Sequence, residues 1–281
     1  MIFTPEEIAG NYIAIGKKKA AMSPDRTFVL AVLAGMFIAL AGSGASAASC
    51  TVGGSGGKLI GACVFPAGLT LVILAGSELF TGNCLLMLPV LHREISLGAM
   101  VKNWTIVYLG NFVGSLLVAW MVVASHQIGM FEGQLAVSAV RTAAAKASMP
   151  FLDSFLKGVL CNMLVCLAVW VSLGAKDVAG KVIGLFYPIV VFVVCGFEHS
   201  IANMFYGPTG LFAMGRPEYA ALVLGEAKGL TWGNFFIKNL VPVTLGNIVG
   251  GAVFVGAAYW FVYLRGKNES HLPNETAGKK Q

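Results

Sequence analysis

Charge is what this chain has least of: only 11% of its 281 residues are Asp, Glu, Lys or Arg. Soluble domains carry roughly a quarter charged residues. Half that density cannot solvate an outer surface, which excludes a water-soluble globule. Cysteine is scarce and unpatterned: Cys63, Cys84, Cys161, Cys166 and Cys195 lie inside apolar runs and Cys50 ends one. No C-x-x-C pair or Cys/His group has metal-binding spacing, so buried structural thiols are expected and no metal. Nucleotide motifs are missing too. Gly53-Gly54-Ser55-Gly56-Gly57-Lys58 is followed by Leu59, which breaks the Walker spacing, and it reads as a flexible external loop. No dinucleotide fingerprint or nucleophile elbow occurs, so no cofactor and no ATP hydrolysis are expected.

What the chain has is apolar length. Hydrophobic residues make up 57%, glycine numbers 35 and mean hydropathy is +0.79. The net charge of +6 is scattered at the ends of apolar runs. That pattern suits membrane flanks rather than a clustered nucleic-acid face. A helical crossing needs about 20 mostly apolar residues, and six stretches qualify: Phe28–Ala48, Leu59–Leu91, Trp104–Ser125, Phe155–Ala175, Val182–Phe205 and Phe235–Leu264. The expected organisation is an amphipathic helix within 1–26, a channel-sized membrane domain over 27–265 and a polar, disordered tail over 266–281. Thr4-Pro5-Glu6-Glu7 reads as a helix start, with an N-cap, a proline at N1 and acids in the first turn. Ile8, Tyr12 and Ile15 share a face, which suggests a helix lying on the membrane surface.

Six crossings put both termini on one side. That side collects Lys17–Lys19, Arg26, Arg93, Lys102, Lys176, Lys181, Arg265, Lys267, Lys279 and Lys280, the majority of the chain's 19 cations. The positive-inside rule then places both termini in the cytoplasm of a multi-pass cell-membrane protein. Lys17–Lys19, the apolar run and Ala45-Ser46-Ala47 resemble a cleavable signal, but roughly 45 residues is too long for one.

The chain repeats itself. Gly76-Ser77-Glu78-Leu79-Phe80-Thr81-Gly82-Asn83 in the second run matches Gly196-Phe197-Glu198-His199-Ser200-Ile201-Ala202-Asn203 in the fifth. Asn103 with Leu109–Gly114 in the third run matches Asn239 with Leu245–Gly250 in the sixth. Two halves of three crossings each follow, and because three is odd the second half is inverted. Such repeats place a substrate path at their interface near the midplane. Glu78 and Glu198 sit mid-run, where ionisable groups are costly, beside glycines that permit non-helical backbone angles. Crossings two and five are therefore expected to be broken, with irregular backbone buried in protein or lining a wet cavity. The two carboxylates are expected to fix the loops by accepting freed backbone N–H groups, with Asn83 and Asn203 completing each motif.

His199 is the sole histidine within an apolar run, and it stands in a broken-helix loop next to Glu198. Imidazole changes charge in the physiological range. Thr81 stands two places beyond the repeat position of His199. A hydroxyl and an imidazole meeting in one lumen suit a small oxyanion or its acid. Phe65 and Leu69 are four apart on one helix face, and Phe192 precedes His199 by two turns; each is a gate candidate or ordinary packing. Lys146, just before the fourth crossing, reads equally as a solvated loop lysine or as a cation drawing anions to the external mouth. Asn162 lies further inside that crossing.

Phe197-Glu198-His199-Ser200-Ile201-Ala202-Asn203-Met204, Glu78-Leu79-Phe80-Thr81-Gly82-Asn83 and the stretch from Asn239 to Gly251 resemble the formate/nitrite transporter family. The resemblance runs from the amphipathic start to about Arg265. It implies an aquaporin-like protomer, five of which assemble in the bilayer, each with its own pore for formate, nitrite or hydrosulfide. It also implies a gating loop at Thr81, a central pore histidine at His199 and pore-narrowing residues at Phe65, Leu69 and Phe192. Asn162 matches a family position on the pore wall, and Lys146 one at the periplasmic mouth. Pro66-Ala67, after Phe65, falls where family members vary. The expectation is thus a channel or proton-linked transporter for small monovalent anions of weak acids. A neutral-solute facilitator of aquaporin type lacks its twin Asn-Pro-Ala signatures. A membrane enzyme using Glu198 and His199 as acid and base gives no reason for the duplicated loop.

Overall fold

A computed structural model of the chain describes residues 2–223, 225 and 227–266; the tail expected over 266–281 lies, beyond Gly266, outside the described residues. Among the described residues there is no β-strand, only an isolated backbone pairing of Ile2 with Ala175. The first helix, α1 (Pro5–Ala21), starts as its sequence dictates. Thr4 Oγ1 accepts from the Glu7 N–H at 3.3 Å, and the Thr4 N–H donates to Glu7 Oε2 at 2.7 Å. These Thr4 contacts, the backbone N–H foremost, hold the Glu7 carboxyl below its ordinary pKa.

The first crossing is α2 (Pro24–Ser49). The second runs as α3 (Gly54–Val64) and α4 (Pro66–Leu74) in line through Phe65, stops, and resumes as α5 (Phe80–Asn83), a 3-10 turn over Cys84–Leu86 and α6 (Met87–Leu91). The third is α7 (Leu97–Ala124). After α8 (Gln134–Ala147), the fourth crossing is α9 (Phe151–Gly174). The fifth stops and restarts between α10 (Val178–Val194) and α11 (Ser200–Met214). Short turns follow, α12 (Pro217–Ala220) and α13 (Trp232–Asn234). The last crossing is π-helical over Phe235–Leu240, α-helical in α14 (Val241–Ile248), π-helical again over Val249–Ala257, and ends in α15 (Ala258–Tyr263). Among the described residues, five continuous stretches are long and apolar enough to span a bilayer, and α10 with α11 makes a further path.

Each half is a clamp of two long helices around one interrupted crossing. α2 packs along α7, and α9 packs along α14. Both pairs use a Gly-x-x-x-Gly step, Gly110 to Gly114 and Gly246 to Gly250, since lipid gives no hydrophobic force between helices and close backbone approach must replace it. A β-carbon on Gly114 would run into the Val32 carbonyl, and one on Gly250 into the Val159 carbonyl.

Three expectations are corrected here. The segment expected as a flexible external loop, Gly53 to Lys58, is helical from Gly54 onward as the start of α3. The apolar face of α1 is not laid on the membrane surface: Ile8, Ala9 and Ile13 pack in one cluster with Leu88, Trp170 and Leu264. Burial against the bundle removes the same apolar area from water without needing lipid. The stretch before the fourth crossing is helix rather than loop. α8 buries Leu135, Ala136, Val140, Ala143, Ala144 and Ala147 on one side, and its small residues carry too little hydropathy to have stood out.

Replacing Gly114 by valine should lower stability by about 1–3 kcal/mol, the usual cost of overpacking, with Gly114→Ala intermediate. A thermal unfolding curve in detergent reads it; an unchanged midpoint for Gly114→Val contradicts the close helix contact.

Candidate functional site

Both interruptions are built alike. Gly76 (φ 76°) and Gly196 (φ 68°) adopt left-handed backbone that only glycine enters freely. Ser77 N–H then closes back on the Val72 carbonyl at 2.9 Å, and Phe197 N–H on the Phe192 carbonyl at 3.0 Å. The backbone groups left over are gathered by asparagines of the neighbouring crossing. Asn111 Oδ1 accepts from Phe80 N–H at 2.9 Å while its Nδ2 donates to the carbonyls of Ala31 and Glu78 at 2.7 and 2.9 Å. Asn247 repeats this for Ser200 N–H and the carbonyls of Gly158 and Glu198 at 2.9, 2.8 and 2.9 Å.

The carboxylates take a different set of partners from the one expected. They accept from side chains, not from the loops' own N–H groups. Glu78 receives Lys19 Nζ and Asn83 Nδ2, each at 2.7 Å. Glu198 receives Lys146 Nζ at 2.9 Å on both oxygens, Asn203 Nδ2 at 2.6 Å and Asn239 Nδ2 at 3.2 Å. Asn83 and Asn203 pass the chain on to Asn103 and Asn239, at 2.9 and 2.7 Å. A buried carboxylate needs both an opposite charge and satisfied lone pairs, and here each has both. The repeat therefore extends outside the crossings: Lys19 at the end of α1 corresponds to Lys146 at the end of α8. Lys146 is neither a loop residue nor solvated. Its side chain is 14% exposed and its ammonium stands 5.7 Å from the centre of the Tyr206 ring.

Two cavities open at opposite ends of the bundle. One of about 380 Å³ lies beside α1 and is lined in part by Tyr12, Lys19, Leu69, Glu78 and Asn83. The other, about 410 Å³, lies at the far end of α2 and is lined in part by Ser49, Lys58, Gly61, Val193 and Tyr206. Gly61 lines the far cavity and Leu69 the α1-side cavity, with Phe65 midway on the same helical face. Eight residues at 1.5 Å each leave about 12 Å between the two spaces.

Side chains named from sequence fill that gap. Phe65 and Phe192 meet edge to face at 5.7 Å, and Phe192 stacks on the His199 ring at 6.0 Å. Thr81 Oγ1 lies 2.9 Å from His199 Nε2. Phe65, Leu69, Thr81, Phe192 and His199 are all buried. The other ring nitrogen, Nδ1, accepts from Ala202 N–H at 3.0 Å and caps α11. A neutral ring with its proton on Nε2 satisfies both contacts, so Nε2–H is the donor toward Thr81. Asn162 sits beneath Thr81: its Nδ2 donates to the carbonyls of Thr81 and Asn247 at 3.2 and 2.6 Å. Glu198 and His199 have separate partners: the carboxylate is held by Lys146, Asn203 and Asn239, and the imidazole by Thr81 and the Ala202 N–H. Lys19, Asn111 and Asn247 are the site residues that sequence reasoning did not single out. The asparagines stood in the matched stretches of crossings three and six, whereas Lys19 was hidden in a run of three lysines.

Removing one partner of such a buried pair strands the other. Lys146→Met should destabilise by about 3–5 kcal/mol, and adding Glu198→Gln should recover part of that loss. Equal unfolding midpoints for wild type and Lys146→Met would mean that the pair holds nothing.

The family model for formate/nitrite transporters matches residues 6–261. A probable formate transporter of Methanothermobacter thermautotrophicus is 39% identical over 281 residues, covering 93% of this chain and 97% of its own. The formate channel FocA of Escherichia coli K12 is 38% identical, covering 91% and 92%. Among solved structures, a pentameric formate channel with formate bound superposes with TM-score 0.77 at 38% identity, over 86% of this chain and 98% of that one. An FNT family ion channel gives 0.79 at 31%, over 90% and 98%. Broken crossings two and five, the clamped loops and a match over nearly the whole length agree: this chain is a multi-pass membrane protein of the formate/nitrite transporter family.

Proposed function

We propose that the chain conducts small monovalent anions of weak acids, formate, nitrite or hydrosulfide, and that His199 couples their passage to protonation. The observation that carries this reading is the Thr81–His199 contact at 2.9 Å, enclosed by apolar side chains between two cavities. A bare anion in that constriction loses its hydration at a cost of several kcal/mol. The N-terminal ends of Phe80–Leu91 and of α11 both start there, and their dipoles offset part of the cost. Protonation of the anion removes most of the rest. In this reading His199 turns its ring Nε2–H from Thr81 to the anion, while Phe65, Leu69 and Phe192 exclude water and larger solutes. Asn162 acts by holding the Thr81 carbonyl, and Lys146, Glu78, Glu198, Asn83 and Asn203 act by holding the two loops at fixed separation. None of these roles is catalytic, and the protein is read as a channel and not an enzyme.

The protomer is proposed to work as a homopentamer in the cell membrane; a similar solved structure is a pentameric formate channel. Its outer face carries exposed Leu109, Trp120, Val171, Ile183, Phe254 and Val262, which suit lipid and neighbouring copies. The cation asymmetry along the chain supports α1 and both termini on the cytoplasmic side.

The test is flux in proteoliposomes, comparing the three anions at several pH values. His199→Phe should cut flux by about ten- to a hundredfold, the worth of a hydrogen bond to a charged group, while the assembly elutes unchanged. Equal flux with an unaltered pH profile in His199→Phe would overturn the reading.

A further inference from the structure

We infer that Lys58 is the residue that captures anions at the mouth opposite α1. The inference rests on the anion pathway proposed above and assigns its outer entry step. Lys146 does not present a free charge there, because its ammonium is bound to both oxygens of Glu198, and the cavity is lined by Tyr206 and not by Lys146. Lys58 is exposed, lines the same cavity, and among the described residues makes no ion pair or hydrogen bond. Its Nζ stands 4.0 Å from where a β-carbon on Gly196 would be, directly over the break that leads to His199 three residues on.

The rest of the cavity wall fits an anion. Ser46, Ser49, Ser138, Thr142 and Tyr206 supply hydroxyls, and no carboxylate is among the described residues lining it. The Lys58 ammonium stands just past the C-terminal end of α10, where the helix dipole favours a cation. An unpaired ammonium in a concave mouth raises the local anion concentration, and it does so without touching the constriction about two turns further in.

Uptake into oriented proteoliposomes, read from each face at low and high salt, tests the assignment. Lys58→Gln should raise the half-saturating anion concentration from the far face about three- to tenfold at low salt, with the maximal rate and the α1-side values unchanged. Lys58→Arg should behave as wild type, and about 1 M salt should erase the difference by screening. Coincident saturation curves for wild type and Lys58→Gln at low salt would overturn the inference while leaving the pathway intact. So would uptake that follows the concentration of the neutral acid and ignores that of the anion. A wild-type protein that passes none of the three anions would instead remove the pathway on which the inference stands.

Discussion

A carboxylate buried mid-bilayer must be neutralised and fully hydrogen-bonded, and two such groups, Glu78 and Glu198, organise everything else in this molecule. An interrupted crossing frees backbone N–H and C=O groups where no water can reach them. The protein answers in two layers. Asn111 and Asn247 tie the loops' backbone to the adjacent crossing. Lys19 and Lys146 then lock the carboxylates from helices that lie outside the crossings. The loops are thereby held from two directions, which lets irregular backbone persist at depth without becoming mobile.

The scaffold is symmetric and the pathway is not. Glu78 with Asn83 and Glu198 with Asn203 superimpose in role, as do Asn103 and Asn239. Between them the positions diverge: Leu79 stands where the other half has His199, and Ile201 where the other half has Thr81. One imidazole and one hydroxyl, one from each half, therefore meet at the centre, and apolar side chains occupy their counterparts. The repeated frame is thus the same in both halves, while the Thr81–His199 contact at its centre is not. The π-helical turns at Phe235–Leu240 and Val249–Ala257 break the symmetry again, and the equivalent α7 shows nothing similar.

Much of this was legible in the sequence because membrane depth makes polar residues conspicuous. Glu78, Glu198 and His199 stand out against apolar runs, and the duplicated Gly-x-Glu-x-x-x-x-Asn spacing locates both breaks within a residue or two. The six apolar runs fall on the helical paths, although α7 begins seven residues before the expected Trp104 and α11 continues nine beyond the expected Phe205. What escaped was pairing at a distance. Lys19 and Glu78 are 59 residues apart and Lys146 and Glu198 are 52, and no local pattern announces such partners. Lys17–Lys19 looked like any flanking cation cluster, and α8 lacked hydropathy because its buried face is mostly alanine. The loop carboxylates were expected to bind backbone; the amides of asparagine do that, because a side chain with both a donor and an acceptor can bridge a broken strand of hydrogen bonds and a carboxylate cannot.

The central claim is that two broken crossings meet at one enclosed contact between Thr81 and His199. A cryo-electron-microscopy map of the assembled protein in lipid nanodiscs tests it most directly. The account predicts density that leaves helical geometry at Gly76 and Gly196, with the imidazole within hydrogen-bonding distance of the Thr81 hydroxyl between two water-filled mouths. Continuous helices through both glycines, or an imidazole facing the acyl chains, would contradict it.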